Sequence, residues 1–382
     1  MVGKSNNVEL SIVLPCRNEE KAIGFCIKQI QEVIDKNKLN AEIIVSDSSS
    51  DKSPEITKRL NAKLVKHNKK GYGIAYLEGF KEAKGKYIII GDADGTYDFR
   101  NIPLILHYLK NKNYDMVIGN RFKGKMHKKA MPFLHRYVGN PILSSLIKLF
   151  FNTKIGDSHC GLRGFTRKAL SLMDLRTTGM EFASEMVMKA VKNDLRIKEI
   201  PINYHKRIGK SKLNTFSDGW RHLRFMLMYA PNYLFIVPGI TLLILGLVIG
   251  LQFYFGTFEI FKIRFYDYPM LIGCFCIILG YQIINLGFFC KTYAKSIGFE
   301  KRDRMVEFIS KIINFESGLL FGFILVLISL LWGALNVVNW FTQGFKNISN
   351  IKDYFIILTL FVLGIQTIFS AFLISIMLVE KR

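Results

Sequence analysis

A chain of 382 residues with 53 Lys and Arg against 30 Asp and Glu, half of it apolar, is long enough for a complete α/β domain and a second unit besides. The net charge of +23 calls for anionic partners, and the long charge-free runs of the C-terminal part exclude nucleic acid in favour of phosphorylated ligands and lipid headgroups. Six cysteines without CxxC spacing or a local His cluster exclude a structural zinc site and a disulfide framework.

Residues 1–7 are polar and run straight into an apolar strand pattern, so no secretory signal is expected and the N-terminal domain is predicted to stay in the cytosol. Strand-like runs at 8–15, 41–46, 63–66, 86–91 and 115–119 alternate with helix-like runs at 21–36, 54–59, 73–83 and 102–110. That order predicts an α/β domain, a mostly parallel sheet with helices on both faces. Ligands of such sheets gather beyond the carboxyl ends of the strands, so the residues just after each strand carry the functional interest.

The first strand ends in Pro15-Cys16-Arg17-Asn18-Glu19-Glu20, where polar groups turn into a helix; a helix cap and a ligand contact both fit. The second ends in Asp47-Ser48-Ser49-Ser50-Asp51, readable as a plain loop or as carboxylates for ribose hydroxyls. Lys69-Lys70-Gly71-Tyr72-Gly73 opens a helix, and such a Gly-rich N-terminus supports a phosphate site only in company with other signals. The strongest signal is Tyr87-Ile88-Ile89-Ile90-Gly91-Asp92-Ala93-Asp94-Gly95-Thr96. A buried strand there delivers two carboxylates, one small residue apart, to the edge where they can hold a hard divalent cation. Asp98 and Asn101 stand closer to the next helix as caps, which frees Asp92 and Asp94 for metal.

Further along, Arg121 follows the fifth strand, Arg136 opens a helix, and Asp157-Ser158-His159-Cys160-Gly161-Leu162-Arg163-Gly164-Phe165 is a polar, Gly-punctuated segment. Arg207-Ile208-Gly209-Lys210-Ser211-Lys212 closes the domain where a lipid phosphate would arrive. Phe216, Trp220, Leu223 and Leu227 share one face of an expected interfacial helix, and Met305, Phe308, Ile309 and Ile312 repeat the arrangement. Four runs, 233–255, 268–289, 318–341 and 354–379, each exceed the roughly 20 residues that cross hydrocarbon. Lys and Arg concentrate before the first run and in the connection 290–317, which predicts a cytosolic catalytic domain and both chain ends inside. The expected division is therefore a cytosolic domain over 1–212, an interfacial helix over 213–232, and a four-span membrane domain over 233–382.

Taken together, residues 8–230 resemble the family-2 glycosyltransferases of the GT-A fold, and most closely the dolichol-phosphate mannose synthases with their polyprenyl-phosphate glucosyltransferase relatives. The resemblance implies a nucleotide-sugar site in which Pro15, Arg17 and Glu19 contact the base, Asp47 the nucleoside, and Asp92, Ala93, Asp94 and Thr96 the donor. It implies a Mg²⁺ or Mn²⁺ cofactor on Asp92 and Asp94, with Asp94 and Arg136 the catalytic pair. Arg121, Arg136, Arg207 and Lys212 would receive the acceptor phosphate, and Glu185 falls where the family has an acidic residue. The implied partners are a donor such as GDP-mannose or UDP-glucose, dolichyl or polyprenyl phosphate, and membrane lipid, with a homo-oligomer left open. The implied reaction transfers a hexose to the lipid phosphate with inversion. Thr96 stands where mannose synthases often have a glutamine metal ligand, and Ser46 where an aspartate is common, so the resemblance does not single out mannose.

Two rivals bear on this reading. A processive polysaccharide synthase would carry a QxxRW signature, but Trp220 is preceded by Gly219 and Phe216 where Arg and Gln are needed. A non-catalytic lipid carrier or flippase would be expected to carry intramembrane charge, which the four runs lack.

Overall fold

The computed structural model describes residues 8–209, 215–256, 258–260, 263–265, 267–296, 315–345 and 351–379. It divides into two compact units, one up to Met226 and one from Leu227. The first is a GT-A-like α/β domain, and the second contains four long apolar helices.

In the first unit β1 (Leu10–Cys16) lies between β2 (Ala41–Asp47) and β4 (Tyr87–Ile90), parallel to both, with Ile12 level with Ile43 and Ile89. Leu10, Ile12, Val13 and Leu14 are all fully buried, as a strand covered by helices on both faces requires. β3 (Lys63–Lys66) extends one edge beside β2. The other half is less regular. β6 (Arg163–Thr166) inserts antiparallel between β4 and β5 (Met116–Asn120), and β7 (Ile197–Pro201) adds parallel to β5. The resulting order is β3-β2-β1-β4-β6-β5-β7. The expected sheet is thus found, with an antiparallel strand in its centre that the alternation of runs did not announce.

The connecting helices follow the expected runs closely: α1 (Ile23–Asn37), α2 (Ser53–Arg59), α3 (Tyr72–Glu82) and α4 (Ile102–Asn111). Beyond β5 come α5 (Asn140–Phe151), α6 (Arg167–Met173) and α7 (Phe182–Lys192), then α8 (Thr215–Met228). In α8, His222 and Met226, one turn apart, are buried, while Trp220 on the expected apolar face is 60% exposed. The second expected amphipathic segment, around Met305 to Ile312, lies outside the described residues.

In the second unit, helices Asn232–Phe255, Tyr268–Ala294, Phe315–Thr342 and Ile351–Met377 are long and apolar enough to span a membrane. Glycines set the contacts of the pairs. An added Cβ at Gly246 would meet the Gly273 carbonyl oxygen at 2.5 Å, and one at Gly322 the Gly364 carbonyl oxygen at 2.8 Å. Small residues here let backbones approach closely, which is what holds helices together where lipid is as apolar as the side chains.

Candidate active site at the carboxyl edge of the sheet

The carboxyl ends of β1, β2 and β4 lie side by side, because the three strands are parallel and in register. β1 leads to Arg17, Asn18 and Glu19, and β2 ends at Asp47. The two ends are laced together. Asp47, fully buried, accepts from the Ser49 hydroxyl at 2.5 Å and the Ser49 N–H at 3.1 Å, while the Ser49 hydroxyl oxygen accepts from the Asn18 N–H at 2.7 Å. Glu19 N–H donates to the Ser53 hydroxyl at 3.0 Å. Asp47 therefore shapes the Arg17–Glu19 turn from beneath, and half-buried Pro15 and exposed Arg17 form its open side.

β4 delivers Asp92 and Asp94. Asp94 is nearly buried; its Oδ1 accepts from the Thr96 hydroxyl at 2.6 Å and the Thr96 N–H at 3.0 Å, and its Oδ2 accepts from Arg207 Nη1 at 2.9 Å. Arg207 Nη2 reaches across to Glu19, so one guanidinium joins the β1 and β4 turns. Its Nε–H is buried and has no partner among the described residues. The loop is fixed through its backbone, Ile208 N–H to the Asp94 carbonyl and His205 N–H to the Thr96 carbonyl, each at 2.9 Å. Ala93 is buried between the two acids and Thr96 serves Asp94 directly.

Asp92 faces a different wall. Its Oδ1 accepts from the Tyr72 hydroxyl at 3.1 Å and the Tyr76 hydroxyl at 3.3 Å, and a Cβ added to Gly161 would meet its Oδ2 at 2.8 Å. Burial, and next the Asp94 carboxylate, push the Asp92 carboxyl up to about 7. A group in this position is stabilised as an anion by an added positive charge. That, with the oxygen-only donor set of Asp92 and Asp94, fits a hard divalent cation whose remaining ligands come from substrate phosphates and water. Among the described residues no three His, Cys, Asp or Glu side chains form a cage of their own.

The glycine pair at the start of α3 has another use. Gly73 N–H and Ile74 N–H both donate to the Thr178 carbonyl, at 3.0 and 3.3 Å, and a Cβ at Gly71 would meet that same oxygen at 2.3 Å. A chain segment, rather than phosphate, satisfies this helix N-terminus. Fully buried Glu185 anchors the segment, accepting from Arg176 N–H at 3.0 Å, Thr177 N–H at 2.9 Å and the Thr177 hydroxyl at 2.7 Å, and pairing with Lys189 Nζ at 2.8 Å.

The expected acceptor cations have different settings. Arg121 is buried and held bidentate by Asp157, Nε to Oδ2 at 2.7 Å and Nη2 to Oδ1 at 2.8 Å, with its guanidinium 5.2 Å from the Tyr204 ring centroid. Burial works against its charge and Asp157 more than offsets this, leaving the guanidinium above its ordinary value. Arg136 lies on the helical turn His135–Gly139, partly exposed and 5.1 Å from the Tyr137 ring centroid. Arg207 belongs to the carboxylate cluster, and Lys212 lies outside the described residues.

The sequence reading did not single out Arg163, which is almost fully buried and donates to the carbonyls of Cys160, Ala183 and Ser158 at 2.7, 2.7 and 2.8 Å. It knits the 157–165 segment to α7. An arginine between glycines, in the run Gly161-Leu162-Arg163-Gly164, was the available signal. His159 joins a buried chain in which the Ser184 hydroxyl bonds both His159 Nε2 at 3.2 Å and His222 Nδ1 at 2.7 Å. The thiols of Cys16, Cys26 and Cys160 are buried and pushed up to about 12, chiefly by burial, in keeping with small apolar packing groups.

Comparison with known proteins adds family membership. Residues 11–172 match glycosyl transferase family 2, and residues 288–378 match the glycosyltransferase family 2 C-terminal transmembrane region. The low-salt glycan biosynthesis hexosyltransferase Agl6 of Haloferax volcanii is 37% identical over 96% of this chain and 88% of its own length. A dolichyl-phosphate hexose transferase of the same organism is 30% identical over 55% of this chain and 89% of its own length. Among solved structures, a glucosyl-3-phosphoglycerate synthase from Mycobacterium tuberculosis superposes with a TM-score of 0.47 at 17% identity, over 58% of this chain and 80% of that one.

Proposed function

Given that the chain belongs to the family-2 glycosyltransferases, we propose that it transfers a hexose from a nucleotide diphosphate sugar to a dolichyl or polyprenyl phosphate at the cytosolic face of a membrane, with inversion at the anomeric carbon. The observation that carries this reading is the cluster of Asp92, Asp94, Glu19 and Arg207 at the carboxyl edge of the sheet. It offers carboxylates to a cation and a guanidinium to phosphate within one site. A lipid acceptor is supported by the four apolar helices that follow the domain and by the dolichyl-phosphate hexose transferase among the relatives.

In this reading Asp92 and Asp94 hold Mg²⁺ or Mn²⁺, which when bound offsets the charge of the departing nucleoside diphosphate. The turn of Pro15, Arg17 and Glu19 receives the base, with Asp47 shaping that turn and Ala93 and Thr96 lining the donor. Arg207 has its Nε–H left for a phosphate oxygen. The acceptor phosphate, already ionised at neutral pH, attacks the anomeric carbon in line while Arg136, Arg207 and Lys212 offset its repulsion from the donor. No group needs to remove a proton from it. Arg121 then acts from behind, since its guanidinium is committed to Asp157.

The apolar runs and the amphipathic segment before them support a domain division at 1–212, 213–232 and 233–382, and the loop charges support both chain ends on the cytosolic side. The deciding experiment incubates the full chain in detergent with polyprenyl phosphate and a panel of UDP- and GDP-sugars and identifies products by mass. A sugar-phosphate-polyprenol is expected with one donor. Sugar polymer, or transfer only to water-soluble acceptors, would overturn the reading.

A further inference from the structure

Asp92 and Asp94 each have one carboxylate oxygen already filled by the protein. Asp92 Oδ1 accepts from the Tyr72 and Tyr76 hydroxyls at 3.1 and 3.3 Å. A carboxylate oxygen carries two lone pairs, so two O–H donors occupy it. Asp94 Oδ1 is filled in the same way, by the Thr96 hydroxyl at 2.6 Å and the Thr96 N–H at 3.0 Å. What each acid has left is its Oδ2. That of Asp92 lies against Gly161, where an added Cβ would stand 2.8 Å away, and that of Asp94 is shared with Arg207.

The two tyrosines are fixed by their own packing. They stand one turn apart on α3, edge to face, with ring centroids 5.1 Å apart. Tyr76 is fully buried, and its ring stacks on Phe182 at 5.7 Å with an interplanar angle of 9° and on Phe80 at 5.9 Å. The first turn of α3 is pinned as well, since the Gly73 N–H bonds the Thr178 carbonyl and Glu185 anchors that segment through Thr177. Phenylalanine would fill the same aromatic layer. What tyrosine adds at both positions is a donor, and both donors meet one oxygen of Asp92.

We propose that Tyr72 and Tyr76 are positioning residues that make Asp92 a one-oxygen ligand, and that with Thr96 on Asp94 they select Mg²⁺ or Mn²⁺ over Ca²⁺. A small octahedral ion is satisfied by single oxygens from one or two carboxylates, with phosphates and water completing its shell. Ca²⁺ gathers roughly six to eight oxygens and can use both oxygens of a carboxylate. To do so at Asp92 it would have to displace two hydroxyls held in a packed aromatic layer. The proposal rests on the reading of Asp92 and Asp94 as the cation's ligands and is separate from the identity of sugar and acceptor.

The test counts free Mn²⁺ by electron paramagnetic resonance over the full chain in detergent, without nucleotide and with UDP or GDP, and then titrates Ca²⁺ as competitor. In Tyr72→Phe with Tyr76→Phe the preference for Mn²⁺, read as the ratio of the two dissociation constants, should shrink by about tenfold, the scale on which partners of metal ligands act. Tyr72→Phe alone, at a half-buried position, should give part of the same shift with the unfolding midpoint in EDTA unchanged. A ratio unchanged in both variants while Mn²⁺ still binds would overturn the proposal and leave the glycosyltransferase reading of the site standing, as would equal affinity of the unaltered chain for the two ions. No saturable Mn²⁺ binding to the unaltered chain in any of these conditions would overturn both the proposal and the metal reading of Asp92 and Asp94.

Discussion

Asp157→Ala separates an architectural role for Arg121 from a direct role at the acceptor phosphate. The substitution removes both side-chain bonds to Arg121 and a third from the Arg121 N–H at 3.0 Å, leaving a buried guanidinium with no counter-charge. Breaking a buried pair from one side costs about 3–5 kcal/mol. At roughly 2–4 °C per kcal/mol for a domain of this size, the midpoint of unfolding should fall by about 6–20 °C. Replacing both partners, Arg121→Met with Asp157→Leu, should recover most of that loss, because no charge is then stranded. The assay is thermal unfolding of the full chain in nanodiscs, with hydrogen exchange of the 116–123 peptide reporting the same site locally. If Asp157→Ala shifted the midpoint by less than about 1 °C while Arg121→Lys raised the acceptor KM tenfold or more, Arg121 would be a ligand and this reasoning would fail.

Asp94→Asn should lower turnover by at least about 10²-fold with the fold intact, and EDTA should mimic it until Mg²⁺ or Mn²⁺ is returned; full activity in chelator would remove metal from the site. Glu185→Gln should cost less activity than Arg136→Ala, since Glu185 holds the 176–178 segment and Lys189 rather than the acceptor, and the reverse order in a steady-state assay would mean that the acceptor's protons matter. Reporters fused after Phe258 and Asn347 should read outside and those after Arg302 and Arg382 inside; an external Arg302 would place the catalytic domain on the other face. His222, lowered to about 4 chiefly by burial, is held neutral in the fold, so its share of stability, about 3 kcal/mol at most, is complete above the ordinary His value and is lost as pH falls from 6.5 towards 4. His222→Asn should flatten the pH dependence of unfolding across that window, and an unaltered slope would show that His222 does not carry it.

What the sequence made legible was governed by local rules. β1, β2 and β4 could be read because strands buried on both faces are short unbroken apolar runs, and the acids at their ends then fall on one edge by topology alone. The four spans were visible for the same kind of reason, length and absence of charge. β6 was not, because four residues containing Arg163 and Gly164 have neither apolar continuity nor alternation. The partner choices of charged side chains were equally hidden. Arg121 meets Asp157 across 36 positions and Arg207 meets Glu19 across 188, and no periodicity couples residues so distant. Gly71 and Gly73 could have made room for phosphate in company with other signals, and they make room for the Thr178 and Thr177 carbonyls, two uses that leave the same trace in sequence.

The net charge of +23 conceals a local inversion that bears on how a transferase of this kind would bring two anions together. The end of the sheet is acidic: Glu19, Asp47, Asp92 and Asp94 converge there, with Arg207 the cation bonded into the group. A nucleotide diphosphate alone would be repelled by those carboxylates, whereas the same ligand carrying a divalent ion would be drawn to them. A basic stretch lies elsewhere in the chain, with Lys123, Lys125, Lys128, Lys129 and Arg136 and no acid over 123–136. A lipid phosphate has no ion of its own and would be drawn to that basic surface instead. Under the proposed reaction this division sorts donor from acceptor before either is recognised in detail, since each is repelled or unattracted where the other binds. It also gives Arg207 a particular place: bonded to Asp94 on one side and to Glu19 on the other, it puts a positive charge inside the acidic end, where the two phosphates would have to meet under that reaction.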